Sequence, residues 1–345
     1  MNSRLFYRFI FVLAFALGLG LIVIVLTSRE PGNAIYSFFV GPFTNTYFFG
    51  NMLSASIPYI LTGIASSIAF SASAFNLGLE GQLYIGAFIG TYLTCCLSTW
   101  PPIFVYPLVF AISFLAGGII SAVSGYLKVK RNVNELISSL LVSYALIYIC
   151  DFFIESVFKD PSAGMAATPY FDEKFLFDKF LPPSDLHTGF WIAIGVAVFS
   201  YVLIKKSAFG FEISLTGKNK VFSRYAGLPV EKITVVAMLL SGGIAGIAGM
   251  ADIFGVHGRM IRGFSTGYGW NGIAVALIGH QHPLYIIPAA LFFAYLESGA
   301  NVGSLFSDIT PEIARTIQAA VFYAVTTEGV FSFIKRKKTR GDTNG

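Results

Sequence analysis

Charge is what this sequence has least of: 12% of its 345 residues are Asp, Glu, Lys or Arg, about half the share of an ordinary soluble domain. That scarcity excludes a typical water-soluble fold. With 55% apolar residues and a mean hydropathy of +0.71, the chain is expected to live in a membrane. Cysteine is nearly absent. Cys95, Cys96 and Cys150 sit inside apolar stretches without metal-ligand or disulfide-framework spacing, and they read as packing residues. The histidines, His187, His257, His280 and His282, are too scattered for a Ser/His/Asp or Cys/His set. His280 and His282 in "HQHP" lack a third ligand and suit a wet turn better than a metal site. No catalytic residues, no metal and no bound cofactor are expected, and the chain does not read as an enzyme. The net charge of +5 does not point to nucleic acid, because the basic residues lie between hydrophobic runs rather than on a solvated aromatic face.

What is present is a succession of apolar runs. A hydrocarbon core of roughly 30 Å takes about 20 residues of apolar helix per crossing. Such runs occupy Phe9–Thr27, Met52–Ser71, Leu77–Ser98, Ile103–Leu127, Leu136–Phe158, Gly189–Ile204, Ile233–Ala251 and Ile313–Ile334. A short helix to about Gly279, the "HQHP" turn and a helix from Leu284 to about Gly299 complete the series. The expectation is an all-α integral membrane protein, one transmembrane domain over residues 1–345, with a bundle of about ten transmembrane helices. The first run follows Arg4 and Arg8 like a signal peptide. It is longer than a cleavable core of roughly 7–15 residues and lacks a small-x-small site, so it reads as a retained anchor.

Basic residues accumulate on the cytoplasmic side of short loops. Here they form four clusters: Arg4 and Arg8; Lys128, Lys130 and Arg131; Lys205 to Lys232; and Lys335 to Arg340. The span count puts all four on one side, which places both termini in the cytoplasm. Residues 159–188 then form an extracytoplasmic loop and residues 205–232 a cytoplasmic segment. No period of 20 to 50 residues repeats, which excludes a solenoid and leaves a diverged inverted repeat open.

Polar residues inside the apolar runs carry the functional expectations. "FNLGLEGQLYIG" holds Glu80, whose carboxylate would cost about 2.5–3.5 kcal/mol near a helix centre and so must face protein or water. Glu80, with Asn76 and Gln82, either lines a substrate path or clamps a broken helix. In "GYGWNG", Gly267 to Gly272, the G-x-G-x-x-G spacing lacks the βαβ setting of a dinucleotide site. A glycine-rich turn feeding a short helix would instead leave N–H groups free for a polar substrate, with Trp270 to stack and Asn271 to hydrogen-bond. "LLSGGIAGIAGMA" sets Gly242 four residues before Gly246, and Ala245 four before Gly249, for close helix packing. Gly217-Lys218 fails as a phosphate-binding loop, with Glu212 and Asn219 where Gly and Ser or Thr are needed. The segment 205–232, polar with spaced apolar residues, suits docking of a partner protein, or else a connector held on anionic lipid.

Three stretches in order, "NLGLEGQ", "RYAG…SGGIAGIAG" and "GYGWNGIAVALIGHQHPL", resemble the permease subunits of bacterial ATP-binding-cassette importers of the branched-chain amino acid and simple-sugar superfamily, especially its nucleoside-type branch. The similarity covers roughly residues 52–330. It implies a pathway between two permease subunits, two cytoplasmic ATPases that hydrolyse ATP, and an extracytoplasmic binding protein or lipoprotein, all in the bacterial cytoplasmic membrane. The coupling segment maps by this resemblance onto Glu212 to Pro229, with Glu212, Gly217, Arg224, Tyr225, Ala226 and Gly227 as the expected coupling residues. The pathway residues are Asn76, Glu80, Gln82, Trp270 and Asn271. "GHQHP" and the aromatic "YSFFVGPFTNTYFFG" depart from the commoner pattern of the family. The expected cargo is a nucleoside, with riboflavin or a ribose-like sugar as alternatives. An ion-coupled secondary transporter is the rival class, and it would need paired intramembrane acids drawn from Glu80, Asp151, Glu155 and Glu297.

Overall fold

A computed structural model describes residues 3–320, 322 and 323. Its ordered elements are almost all helical, with two isolated bridges and no strand among the described residues. The helices are α1 (Ser3–Thr27), α2 (Pro31–Phe39), α3 (Thr46–Ser71), α4 (Leu79–Cys96), α5 (Pro102–Arg131), α6 (Glu135–Glu155) and α7 (Gly189–Lys206). They continue as α8 (Ala208–Lys218), α9 (Lys220–Tyr225), α10 (Val230–Asp252), α11 (Tyr268–Ile278) and α12 (Pro283–Phe306). A π-turn, Ile253–His257, extends α10.

Six described helices are long and apolar enough to cross a membrane: α3, α5, α6, α7, α10 with its π-turn, and α12. Leu17–Thr27 and α11 are shorter apolar helices. The sequence-based count of about ten is therefore larger than what these helices establish, and the expected run Ile313–Ile334 lies mostly outside the described residues. α4 sits at the expected place, but Glu80 and Gln82 dilute its apolarity and it is not among the six. α2 is a nine-residue helix inside a stretch expected to be loop. Pro31, at its first turn, has no N–H to lose there and presets the helical φ.

The boundaries follow local chemistry. Asn132 adopts a left-handed conformation (φ 54°) and ends α5, its N–H returning to the Leu127 carbonyl. The side chains of Asn134, Ser207 and Asn219 each accept a backbone N–H in the first turn of α6, α8 and α9.

The chain divides into two compact units. In the unit of Met1–Met52 with Phe292–Gly345, Ser28 Oγ and Arg29 N donate to the Asp308 carboxylate at 2.5 and 2.6 Å. Tyr295 in this unit donates to the Phe39 carbonyl at 2.9 Å and stacks on Phe43. α3 buries 89% of its apolar window, and the densest packing in the unit Leu53–Leu291 is among α10, α5 and α4. α10 lies along α5 and α4 at a separation only glycine permits. A Cβ at Gly242 would collide with the Gly117 carbonyl, at Gly246 with that of Ser113, and at Gly249 with that of Leu83. α5, α6 and α7 bury only 28%, 22% and 28% of their windows, which leaves broad apolar faces for lipid or protein.

Residues 159–188 are stitched onto the chain after α10. Phe177 N donates to the Phe254 carbonyl, Thr168 N to Met260 and Phe171 N to Gly258, at 2.9–3.2 Å. His187, near the end of this loop, is buried and stacked on Phe177, with its Nδ1 accepting the Gly189 N–H. Burial pushes the imidazole down to about 4.

Candidate functional site

α3 stops at Ser71, and the chain turns through Ser73 (φ 52°) before restarting as α4. The turn holds Asn76, which is fully buried. Asn76 and Gln82 pair reciprocally through their amides at 2.7 and 3.0 Å. Asn76 Nδ2 also lies 3.1 Å from Ser121 Oγ on α5 and 3.0 Å from Ser241 Oγ on α10. A buried amide satisfied on every side costs little and fixes the register of the helices that satisfy it. Asn76 and Gln82 thus join α4, α5 and α10.

Glu80, two residues into α4, is 7% exposed and makes a different set of bonds. Its Oε1 accepts from Ser265 Oγ at 2.5 Å and Gly267 N at 3.2 Å, and its Oε2 from Gly269 N at 2.6 Å. These donors belong to the turn that opens α11. Gly267 caps it in the left-handed region (φ 95°), which a side chain rarely adopts. A carboxylate at the head of a helix also meets the positive end of its dipole. The amides of Gly267 and Gly269, expected from sequence to be free for a polar substrate, are therefore taken by Glu80.

Trp270 and Asn271 follow directly. Asn271 Nδ2 donates to the Tyr59 hydroxyl at 3.3 Å, and the Trp270 ring lies 6.4 Å from that of Tyr144 on α6. The structure therefore gathers Glu80, Trp270 and Asn271 at the α4–α11 junction. Asn76 and Gln82 instead point into the α5–α10 core. Ser265, Tyr59 and Tyr144 complete the junction and went unnoticed in the sequence, where only their spacing along separate helices is visible.

Two further acids of this unit, Asp151 and Glu155, have fixed partners. Tyr84 donates its hydroxyl to Asp151, and Arg262 pairs with both Asp151 and Glu155. His257 lies 3.2 Å from Asp252. No group of three or more metal-ligating side chains occurs among the described residues.

Segment 205–232 folds as the helix pair α8–α9. Its inner side is tied to the turn that carries Asn76. Gly217 meets the Ser71 carbonyl so closely that a Cβ would collide with it, and Lys220 Nζ donates to the Ser73 carbonyl at 3.2 Å. Lys128 Nζ reaches the same carbonyl and pairs with Glu135. Burial, and then the Lys128 ammonium, hold the Lys220 pKa below its usual value. Glu212 is half-buried. The outer side presents Phe211, Val221, Phe222 and Tyr225, the last 89% exposed, beside Ala226 and Gly227 (φ 82°). Arg224 is exposed there and pairs with Glu231 at 3.1 Å.

The described residues are almost all helical, with six helices of membrane length and glycine-mediated core packing, the character of a membrane-embedded protein. Residues 48–326 match the family of branched-chain amino acid transport system permease components, and the chain belongs to that family. It is 28% identical over 324 residues to the glucose ABC transporter permease protein TsgB13 of Haloferax volcanii, covering 90% of this chain and 84% of the relative. It is 29% identical to the probable riboflavin import permease protein RfuC of Treponema pallidum, covering 89% and 81%. The guanosine ABC transporter permease protein NupP of Bacillus subtilis is also 29% identical, covering 88% of each chain.

Proposed function

We propose that this chain is the permease subunit of an ATP-driven importer that carries a nucleoside across the bacterial cytoplasmic membrane by alternating access. The observation that carries the reading is segment 205–232. It turns exposed aromatic and aliphatic side chains outward, while Gly217 and Lys220 seat it on the carbonyls of Ser71 and Ser73. A force applied to the outer side of α8–α9 reaches the turn that holds Asn76 and then Glu80. Glu80 in turn holds the head of α11, where Trp270 and Asn271 lie. Glu212, Gly217, Arg224, Tyr225, Ala226 and Gly227 are the coupling residues, and cytoplasmic ABC ATPases are the partners that dock on them. Both termini then lie in the cytoplasm. A second permease subunit and an extracytoplasmic binding protein or lipoprotein complete the assembly. Asn76, Glu80 and Gln82 act as braces that transmit the movement, and Trp270 and Asn271 face the cargo.

The guanosine relative supports nucleoside cargo at the same identity at which other relatives support riboflavin and glucose, and an indole beside an amide at one helix start suits a flat ring with polar edges better than a sugar alone. The test is uptake of labelled guanosine in cells with and without this gene, with excess unlabelled riboflavin or ribose as competitors. Uptake lost with the gene and indifferent to both competitors supports the reading; uptake unchanged by the gene's removal rejects that cargo.

A further inference from the structure

On α6, Tyr144, Tyr148, Asp151 and Glu155 fall at i, i+4, i+7 and i+11, which lines them up along one helix face. The chain between the π-turn and α11 runs beside that face. At one end Arg262 pairs with Glu155 and, at 3.5 Å, with Asp151. At the other the Trp270 ring lies 6.4 Å from that of Tyr144. In between, Gly263 N donates to the Tyr84 hydroxyl at 2.8 Å, and Gly267 N reaches Glu80, whose neighbour Gly81 donates to Ser143 Oγ on α6. Residues 262–267 therefore follow α6 from Glu155 back to the level of Ser143, a distance of about 18 Å at 1.5 Å per residue. That stretch lies inside a helix long and apolar enough to cross a membrane.

Lipid does not suit such a face. Residues 262–267 form no helix or strand, and Arg262, Gly263 and Thr266 among them are exposed. Irregular backbone at membrane depth persists only against protein or water. The side chains of Arg262 and Glu155 are 54% and 42% exposed, and an ion pair that open is costly in hydrocarbon. Tyr148 stands between the two anchors, 70% exposed, without a hydrogen bond or ring contact to any described residue. It lies about 10 Å inside the Glu155 end of α6, deeper than the interfacial belt where tyrosine hydroxyls ordinarily find water. The same stripe turns apolar toward the start of α6, with Ile137 and Leu141 exposed there. Those two suit a dry contact, whereas charged groups are depleted from the cores of protein interfaces. Water is the covering that fits the half with Tyr148, Glu155 and Arg262.

We propose that this half of the α6 face is a wall of the cargo path, continuous with Trp270 and Asn271, and that Tyr148 is a cargo-contacting residue. Its ring stacks on the passing heterocycle, and its hydroxyl bonds a polar edge of the cargo. The path rests on the importer reading above, and the heterocycle on the nucleoside reading.

The test is made on the full chain in its own cell membrane, in a Cys95→Ser, Cys96→Ser background; Cys150 is buried and stays. Tyr148→Cys and Ile149→Cys are each treated with a charged methanethiosulfonate reagent in membranes opened to small solutes on both sides. Ile149 is 50% exposed but lies about 100° further round the helix, off the stripe. Tyr148→Cys is expected to react at least about tenfold faster, because a thiol in water ionises far more readily than one in apolar surroundings. Labelling of Tyr148→Cys no faster than of Ile149→Cys would mean lipid or a subunit contact over Tyr148 and would overturn the proposal. In intact cells Tyr148→Leu should raise the KM for guanosine uptake several-fold while lowering the maximal rate less. Tyr148→Phe, which keeps the ring, should recover most of the loss. An unchanged KM in Tyr148→Leu, with wild-type guanosine uptake intact, would overturn the contact role. Fast labelling of Tyr148→Cys in cells whose wild-type chain takes up no guanosine would support the wall and overturn the nucleoside reading.

Discussion

Glu80 Oε2 accepts the backbone N–H of Gly269 at 2.6 Å across 189 residues of sequence. With the bonds from Ser265 and Gly267, this contact makes the head of α11 an extension of α4. The contact ties the start of α4 to the turn that precedes Trp270 and Asn271.

Glu80→Gln tests that junction. The substituted amide keeps the shape but turns a donor toward N–H and O–H donors, so at least one of the three bonds is lost. A loss of about 1–3 kcal/mol in stability is expected, read as a lower unfolding temperature of the purified protein, together with a several-fold drop in uptake. Wild-type behaviour in both assays would show that the junction is dispensable.

How much of this was legible in the sequence depends on range. Long apolar runs gave the positions of α4 through α7 and of α10 within a few residues, and the end but not the start of α3, because an apolar run of that length satisfies its backbone in lipid as a helix. α2 escaped because the nine residues between Glu30 and Val40 have no span-like signal. Glu80 and the "GYGWNG" amides were each conspicuous, one as an acceptor and the other as donors. Their pairing was not, because backbone N–H groups occur at every residue and carry no sequence label.

The α10 glycines offer a steric test. Gly246→Val is expected to force α10 off the Ser113 carbonyl of α5, costing several kcal/mol by overpacking and sharply lowering the yield of folded protein. Gly195→Ala, in α7 with nothing within 4 Å of the added Cβ, serves as the control. It should be neutral, or stabilising by about 0.5–1 kcal/mol. Size-exclusion profiles and thermal melts of the two variants should therefore diverge; equal profiles would contradict the packing described here.

His187 predicts a pH dependence. Burial holds its folded pKa at about 4, below the ordinary 6.5, so the unfolded state binds the proton more readily. Its contribution to stability is complete above about pH 6.5 and declines as the pH falls toward about 4, by roughly 3 kcal/mol in all. Asp252 and Asp185 nearby oppose the shift and Lys179 reinforces it. Melting temperature against pH should fall less steeply over this window in His187→Gln than in the wild type. Parallel curves would sink the assignment.

Arg224→Glu reverses one exposed charge and places it beside Glu231. An exposed pair contributes only about 0–1 kcal/mol to stability, so membrane insertion and melting should barely change. Uptake should fall several-fold if α9 is a docking surface. Tyr225→Ser, which removes an 89% exposed ring, should act likewise. Normal uptake in both variants would remove the docking role from this face.

The most direct measurement is guanosine uptake by this chain reconstituted in vesicles together with the ATPase and binding protein proposed as its partners. Uptake is compared with ATP, with a non-hydrolysable analogue, and with ion gradients collapsed. The account predicts that uptake requires ATP hydrolysis, survives collapse of the gradients, and is lost in Arg224→Glu. Uptake that proceeds without ATP and stops when an ion gradient is removed would contradict it and make this chain a secondary transporter.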